Sequence, residues 1–247
     1  ANVKKHTTVK ADSPGMRVFV DISGAFTTTM GGTKCWVQLV DDFSDLGLCS
    51  FVKQKLDIGP VVTNWLTTLK AKHIVTKFIR CDNAGENIKH VHGCATRHGI
   101  TMEHTAPDTP QQNGKVERRI AVLQKKALAV MIAAGLTQHA RELLWAEAVN
   151  NVNELCNICA NSNSMTPPHT RFCGVNSKLY PHLKQFGRIG CITKRTKIKG
   201  KWTHKSNKGV RADALNTTKP NVDASTIARL FYQLELPTIN LSKLSIV

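Results

Sequence analysis

Three acidic side chains occupy positions at which a carboxylate could do chemistry. Asp21 lies between Val20 and Ile22, inside an apolar run that is typical of a strand. Asp82 follows directly after a second run of this kind, and Glu117 lies in the first turn of a long helical pattern, where the helix dipole favours an acid. Each residue alone could be a strand end, a turn cap or a helix start. Together they predict one site, built from two strand ends and one helix.

Convergence of these acids would have a chemical consequence. Three carboxylates repel one another and raise one another's pKa unless a cation compensates. Oxygen-only ligands with open positions suit Mg²⁺ or Mn²⁺, and two such ions activate a nucleophile and stabilise the leaving oxygen of a phosphodiester. Asp41 and Asp42 are an alternative acidic pair, but Asp42 before Phe43 and Ser44 is better interpreted as a turn cap.

A polar loop and several cations adjoin Glu117. Pro107 and Pro110 block a helix before residue 111. The loop then ends in four polar or small residues, Gln111, Gln112, Asn113 and Gly114. We expect the Asn113 side chain to cap the following helix. Three cations flank the acid, namely Lys115, Arg118 and Arg119. A polar loop beside a rigidly mounted acid and three cations predicts half of a phosphate-handling site, with the cations beside phosphates and the loop against the ligand.

The hydrophobic pattern predicts the elements that position these residues. It indicates strands over residues 17–23, 35–41, 46–52, 75–81 and 100–105, and helices over residues 58–72, 88–98, 116–134 and 140–159. Short polar turns between the first three strands predict an antiparallel meander. The helical crossover before the fourth strand predicts a parallel neighbour. If strands one and four are neighbours, Asp21 and Asp82 face one another beyond the sheet.

The charge balance indicates a polyanionic partner. Lys and Arg number 34 against 17 Asp and Glu, a net charge of +17. Nucleic acid is favoured over a membrane, because neither an amphipathic anchor nor an apolar span of about 20 residues is evident. Residues 171–247 hold 15 basic and 3 acidic side chains, a net of +12. Five cations in this part are predicted DNA-backbone contacts, namely Lys194, Arg195, Lys197, Lys199 and Lys201.

Composition also predicts the organisation of the chain. Residues 1–15 are polar and predict a linker, residues 16–165 predict the core, and residues 166–247 predict a basic, poorly structured extension. The eight cysteines lie mostly in apolar runs, as reduced core cysteines do. Cys156 and Cys159 have no second pair at zinc-finger spacing, so they are interpreted as core positions of a helix.

Several segments, in order along the chain, resemble the integrase of copia-type LTR retrotransposons, within the retroviral-integrase superfamily. They include Val20-Asp21-Ile22-Ser23-Gly24, the run from Cys81 to Glu86, the run from Trp145 to Asn150, and the specific motif Pro-x-x-Pro-Gln-Gln-Asn-Gly-x-x-Glu-Arg at residues 107–118. The resemblance implies an α/β RNase H-like fold with a five-stranded mixed sheet flanked by helices. It also implies that Asp21, Asp82 and Glu117 are the catalytic acids and hold two Mg²⁺ or Mn²⁺ ions.

The resemblance further implies a polynucleotidyl transferase that inserts element DNA into a chromosome in the nucleus. Its partners would be the element ends and target DNA, with a homo-oligomer in the full-length integrase and no membrane. Two departures stand out: 34 residues separate Asp82 from Glu117 where the family usually has 35, and the pattern is lost after about residue 210. Two alternatives remain, an RNase H-like nuclease and a decayed remnant that only binds nucleic acid.

Overall fold

A five-stranded sheet lies at the centre of the fold. Its strands are β1 (Arg17–Ser23), β2 (Cys35–Asp41), β3 (Gly47–Val52), β4 (Phe78–Cys81) and β5 (Thr101–His104). They are ordered β3-β2-β1-β4-β5. The pairs β1–β2 and β2–β3 are antiparallel, and the pairs β1–β4 and β4–β5 are parallel. The predicted meander is confirmed. The first and fourth strands are parallel neighbours, which is the condition under which Asp21 and Asp82 face one another.

The computed structural model describes residues 10–82, 87–104, 113–160, 164–179, 181, 183–187, 192–198 and 201–207. Within these ranges, five α-helices accompany the sheet. They are α1 (Ile58–Ala71), α2 (Asn87–Arg97), α3 (Gly114–Ala133), α4 (Gln138–Ile158) and α5 (Pro168–Cys173). The third ends as predicted, since Gly135 has φ +70° and Leu136 N–H donates to the carbonyl of Met131 at 3.1 Å. In the described part of the chain, no helix is long and apolar enough to cross a bilayer.

Alternation along β1 divides the core into two parts. Val18 and Val20 are buried on one face of the sheet, with Ile79 of β4 and the apolar sides of α1 and α2. Phe19 is buried on the other face, with Val116 of α3 and apolar residues of α4. Because side chains alternate along a strand, Asp21 follows Phe19 on the face that α3 covers.

The core continues beyond its predicted boundary at residue 165. Phe172 and Cys173 of α5 are buried in the same cluster as α1 and α2. Gly174, with φ +74°, then ends the helix in the left-handed conformation that glycine adopts without strain. The unit built on the sheet therefore includes residues at least as far as Cys173.

The basic extension contains regular structure that its composition did not predict. Strands β6 (Ile192–Ile198) and β7 (Lys201–Asn207) pair in antiparallel register as a separate two-stranded sheet. Ile and Thr supply four of the seven residues of β6, and such β-branched side chains favour strands even between cations. Residues 1–9 of the predicted linker and all residues after 207 lie outside the described ranges.

Candidate active site

The register of two parallel strands brings Asp21 and Asp82 together. Val20 of β1 is paired with Cys81 of β4. Asp21 is the next residue of β1, and Asp82 directly follows β4, so the two acids occupy equivalent positions at the carboxyl ends of neighbouring strands. The carboxyl ends of parallel strands are the usual location of functional side chains in open α/β sheets.

Packing of α3 on the sheet places Glu117 near the same edge. Val116 and Ile120 of α3 are buried with Phe19 of β1. Glu117 lies between them in the first turn, and its side chain is exposed. Burial of its neighbours therefore fixes the helix, while the carboxylate stays open to solvent and to a ligand.

Electrostatic coupling shows that the three acids share one environment. The pKa of Asp21 is raised to about 6, first by burial and then by repulsion from Glu117 and Asp82, while a 2.7 Å hydrogen bond from Ile22 N–H opposes the rise. Partial burial and the charge of Asp82 also raise the pKa of Glu117. Each pair of acids therefore repels, as expected for carboxylates that share a site.

The thiol of Cys81 senses the same negative potential. Its pKa is raised to about 11, mainly by burial and then by Asp82 and Asp21. A protonated thiol is a poor metal ligand, because metals bind the thiolate. The sheet edge therefore offers carboxylate oxygens rather than sulfur.

The spacing of the acids and their chemistry differ in how well they fit a divalent cation. Across the described ranges, no three His, Cys, Asp or Glu side chains gather closely enough to hold a metal ion. In donor type and charge the three acids nevertheless fit, since they supply oxygen ligands and a cation would relieve the repulsion that raises the pKa values. Asp21, Asp82 and Glu117 are the residues that would hold it.

Lys115 pairs with two acids, one at the start and one inside the turn between β2 and β3. Its Nζ donates to the carbonyl oxygen of Asp42 at 2.6 Å and to Asp42 Oδ1 at 3.1 Å, and it lies 2.7 Å from Asp45 Oδ1. An ammonium group has three donors, and these three acceptors match that number. The structure therefore places the Lys115 ammonium group in intramolecular ion pairs with Asp42 and Asp45.

Arg119 is part of a buried polar cluster, although it also was expected to contact phosphates. Its Nη2 donates to Asn153 Oδ1 at 2.8 Å and to Asn157 Oδ1 at 2.9 Å. Both asparagines donate to the carbonyl of Gly47, at 2.8 and 2.7 Å. Burial lowers the pKa of Arg119. Arg119 thus ties α3 and α4 to β3, and Arg118 is the exposed arginine of the pair.

Asn113 does not cap α3 through its side chain, contrary to the prediction. Its φ of −99° and ψ of 4° are outside the extended region in which a capping side chain reaches the first turn. Its carbonyl accepts from Val116 N–H at 3.1 Å. Both polar atoms of the side chain are buried and have no hydrogen-bond partner in the described structure.

Asp41, rather than Asp42, caps the turn between β2 and β3. Asp41 Oδ2 accepts from the N–H and Oγ of Ser44 at 2.7 and 2.6 Å. Asp42 instead accepts from Ala11 N–H at 2.9 Å and forms ion pairs with Arg17 and Lys115. The interpretation of Asp42 as the cap was wrong by one residue, and neither acid belongs to the Asp21 group.

The other predicted DNA contacts are distributed over the chain. Gly114 is the first residue of α3. Lys194, Arg195 and Lys197 lie in β6, and Lys201 is the first residue of β7. Gln111, Gln112 and Lys199 lie outside the described residues.

One charged group near the site was missed from the sequence. Glu103 of β5 accepts from Arg80 Nε at 2.9 Å and from Arg17 Nη2 at 3.0 Å. Arg80 and Glu103 are paired in register, on the strand face that Phe19 shares. A signal existed, since Arg17 and Arg80 each interrupt an apolar strand, but their partner could be identified only from the strand order.

The chain is similar in sequence to the retrovirus-related Pol polyprotein from transposon TNT 1-94 of Nicotiana tabacum, with 28% identity over 173 residues. This match covers 69% of the chain and 13% of the polyprotein, so the chain corresponds to a small part of that relative. No protein-family model matches the chain.

Two solved structures are similar in fold. The simian T-cell lymphotropic virus intasome, in complex with PP2A regulatory subunit B56 gamma, has a TM-score of 0.52 and 16% identity over 83% of this chain and 72% of that chain. The HTLV-2 integrase catalytic core domain in complex with magnesium, in its trimeric form, has a TM-score of 0.48 and 15% identity over 66% and 99% of the two chains. At 16% identity, the similarity to the intasome chain concerns the fold alone.

Proposed function

We propose that this chain carries an integrase-like domain with an RNase H-like fold, and that this core is a metal-dependent polynucleotidyl transferase that joins retroelement DNA to target DNA. One observation carries the proposal: the parallel pairing of Val20 with Cys81 puts Asp21 beside Asp82, on the sheet face that the Glu117 helix covers. The pairwise repulsion of the three acids supports it, because a divalent cation bound among them would relieve that repulsion.

The roles of the acids follow from the strand and the helix that position them. Asp21 is held by its strand and by the hydrogen bond from Ile22 N–H, so its carboxylate has a fixed orientation. Glu117 is mounted on a 20-residue helix that Val116 and Ile120 anchor. Mg²⁺ or Mn²⁺, as a pair, would supply Lewis-acid stabilisation of charge at the scissile phosphate. The three acids would bind the cations and align the attacking DNA 3′-hydroxyl with that phosphate.

DNA affinity is assigned mainly to the basic segment after the core. Lys194, Arg195, Lys197 and Lys201 lie in the β6–β7 hairpin, within residues 184–208, which contain nine basic residues and no acid. Such a segment binds phosphates without reading sequence. Element ends and chromosomal DNA would be the partners, which places the reaction in the nucleus, and joining of two ends would require an oligomer.

The test uses the full chain, a labelled duplex with a recessed or blunt element-like end, and a target plasmid, with Mg²⁺ or Mn²⁺. We expect end trimming and joined products from the wild type, and neither from Asp82→Asn, because a neutral amide is a poor ligand for these cations. Asp12→Asn is the matched control, since Asp12 is exposed and hydrogen-bonds to the adjacent Ser13. DNA affinity should be the same in all three proteins.

The products distinguish the alternatives. Joined strands support the transferase. Cleavage without joining, abolished by Asp82→Asn, would instead support an RNase H-like nuclease. DNA binding with neither product in either metal would support a remnant that only binds nucleic acid. Activity retained in Asp82→Asn would overturn the site itself.

A further inference from the structure

Lys115 and Arg171 share one carboxylate in the turn between β2 and β3. Asp45 Oδ1 lies 2.7 Å from Lys115 Nζ, and Asp45 Oδ2 lies 3.2 Å from Arg171 Nη1. Lys115 is the second residue of α3, and Arg171 lies in α5. A single acid thus connects the start of α3 to α5, which begins more than 50 residues later in the chain.

The turn is clamped from the α5 side. Arg171 Nη1 donates to the Ser44 carbonyl at 3.4 Å, its Nη2 donates to the Phe43 carbonyl, and its guanidinium lies 5.6 Å from the centre of the Phe43 ring. Phe172, the next residue, is buried in the core. Burial of Phe172 therefore fixes the backbone from which Arg171 reaches the turn.

Asp45 has the backbone conformation that this bridge requires. Its φ is +65°, a left-handed value that Asp and Asn adopt more readily than most residues. Its N–H donates to the Asp41 carbonyl at 3.1 Å, which closes the turn. Asp45→Asn is thus a substitution that keeps the turn and removes the charge.

The other contacts of Lys115 lead to the sheet. Asp42 accepts from Lys115 and also pairs with Arg17 of β1 at 3.3 Å. The Lys115 ammonium lies 5.7 Å from the centre of the Phe19 ring. The start of α3 therefore contacts β1 at Phe19, which lies two residues before Asp21 in the same strand.

We propose that Lys115 is a positioning residue for Glu117, held in place from α5 by Arg171 through the carboxylate of Asp45. Glu117 lies two residues after Lys115 in the first helical turn, so a shift of the helix start displaces its carboxylate relative to Asp21 and Asp82. This role rests on the proposed function for its catalytic meaning. The expected phosphate contact of Lys115 is the alternative, and it would require the ammonium group to leave its acceptors on Asp42 and Asp45.

The first test needs no activity. Amide hydrogen exchange is measured across α3 in the full chain for the wild type, Lys115→Met, Arg171→Met and the control Arg118→Met, which removes an exposed charge from the same turn. We expect exchange of the amides of residues 117–120 to be about fivefold faster in the Lys115 and Arg171 variants and unchanged in the control. Unchanged exchange in Arg171→Met would overturn the link from α5.

Two further variants protect this test against a folding defect. Asp45→Asn, which keeps the turn conformation, should reproduce the faster exchange, and Lys115→Arg should restore slow exchange. The double variant Lys115→Met with Arg171→Met should exchange no faster than Lys115→Met alone, because both residues act through one carboxylate. Multiplied effects in the double variant would contradict the proposal.

The second test separates positioning from DNA contact. In Lys115→Met we expect a fall of at least about tenfold in the single-turnover joining rate at saturating DNA, with the same DNA affinity and the same salt dependence. A phosphate contact would instead reduce the slope of log K against log salt by about 0.9. That result would overturn the proposal. If the wild type neither joins nor cleaves DNA, the proposed function is refuted but the positioning role is not. The exchange measurements would still decide whether Lys115 and Arg171 position Glu117.

Discussion

Asp21 and Asp82 directly follow Val20 and Cys81, the last residues paired between the parallel strands β1 and β4. Their separation along the chain is bridged by the β2–β3 meander and by α1. Because the strand pairing fixes both backbones, the repulsion between the carboxylates cannot be relieved by moving the strands apart without breaking the sheet. The folded domain therefore keeps the two carboxylates close enough to repel each other at this edge of the sheet.

Substitution of Asp21 should expose a conflict between stability and activity. At pH 7, Asp21→Asn should raise the free energy of unfolding by up to about 3 kcal/mol in metal-free buffer, since the wild-type carboxyl must ionise against a pKa of about 6 rather than 3.8. Urea unfolding measures this change. Added Mn²⁺ should stabilise the wild type but not the variant. Equal stabilisation of both proteins by Mn²⁺ would place the ion elsewhere.

The buried cluster around Arg119 should tolerate no added atom at Gly47. A Cβ there would lie 2.7 Å from Asn153 Oδ1 and 2.8 Å from Arg119 Nη2. Gly47→Ala should therefore cost about 1–3 kcal/mol in the free energy of unfolding. Gly93→Ala is the control, because a Cβ there meets nothing within 4 Å in the interior of α2, and it should stabilise by about 0.5–1 kcal/mol. Equal effects in chemical denaturation would contradict the packing argument.

Low pH should remove the stabilisation that the ion pairs of Asp42 provide. Burial alone would raise the pKa of this carboxyl, but the hydrogen bond from Ala11 N–H and the charges of Lys115 and Arg17 outweigh burial and lower the pKa below 3.8. A lowered pKa stabilises the fold fully above the unfolded value, and this stabilisation is lost as the pH falls below it. Asp42→Asn should thus be less stable than the wild type at pH 7. The difference should shrink below about pH 4 in urea titrations at several pH values.

The β6–β7 hairpin should supply much of the salt-sensitive DNA affinity. Truncation at residue 170 is an unsuitable test, because it removes Phe172 and Cys173 from the core. The full chain with Lys194, Arg195, Lys197 and Lys201 all changed to Gln is preferable. Each lost phosphate contact should reduce the slope of log K against log salt by about 0.9. The matched control replaces Lys70, Lys72, Lys125 and Lys126, and an equal loss of slope in both variants would argue against a hairpin site.

The sheet could be predicted because its determinants are local. The bounds of β1 and β2 agree with the apolar runs, residues 17–23 and 35–41. The fourth strand is shorter than its apolar run, residues 75–81, because pairing with β1 begins only at Arg17 and Phe78. Strand ends depend on the partner strand, which a local pattern does not contain.

The site could be predicted less completely than the fold. The approach of Asp21 to Asp82 follows from the strand order, which the connections already indicate. The contacts of Lys115 and Arg119 do not follow from the strand order. Their partners Asp45 and Asn153 are remote in sequence, and no local pattern in α3 identifies these partners. From the sequence alone, a cation next to a catalytic acid is as consistent with a ligand contact as with an ion pair inside the protein. The structure decides between the two because it shows the acceptors of the cation.

The position of β1 in the sheet has a consequence for the order in which the domain can form during synthesis. β1 pairs with β2 across a short connection, but its other edge must wait for β4, more than 50 residues later. The core also lacks Phe172 until α5 has emerged. Non-local pairing of this kind folds slowly and leaves an edge exposed meanwhile. We therefore expect the nascent chain to hold an open three-stranded meander first, and the acids to meet only in the last stage of folding.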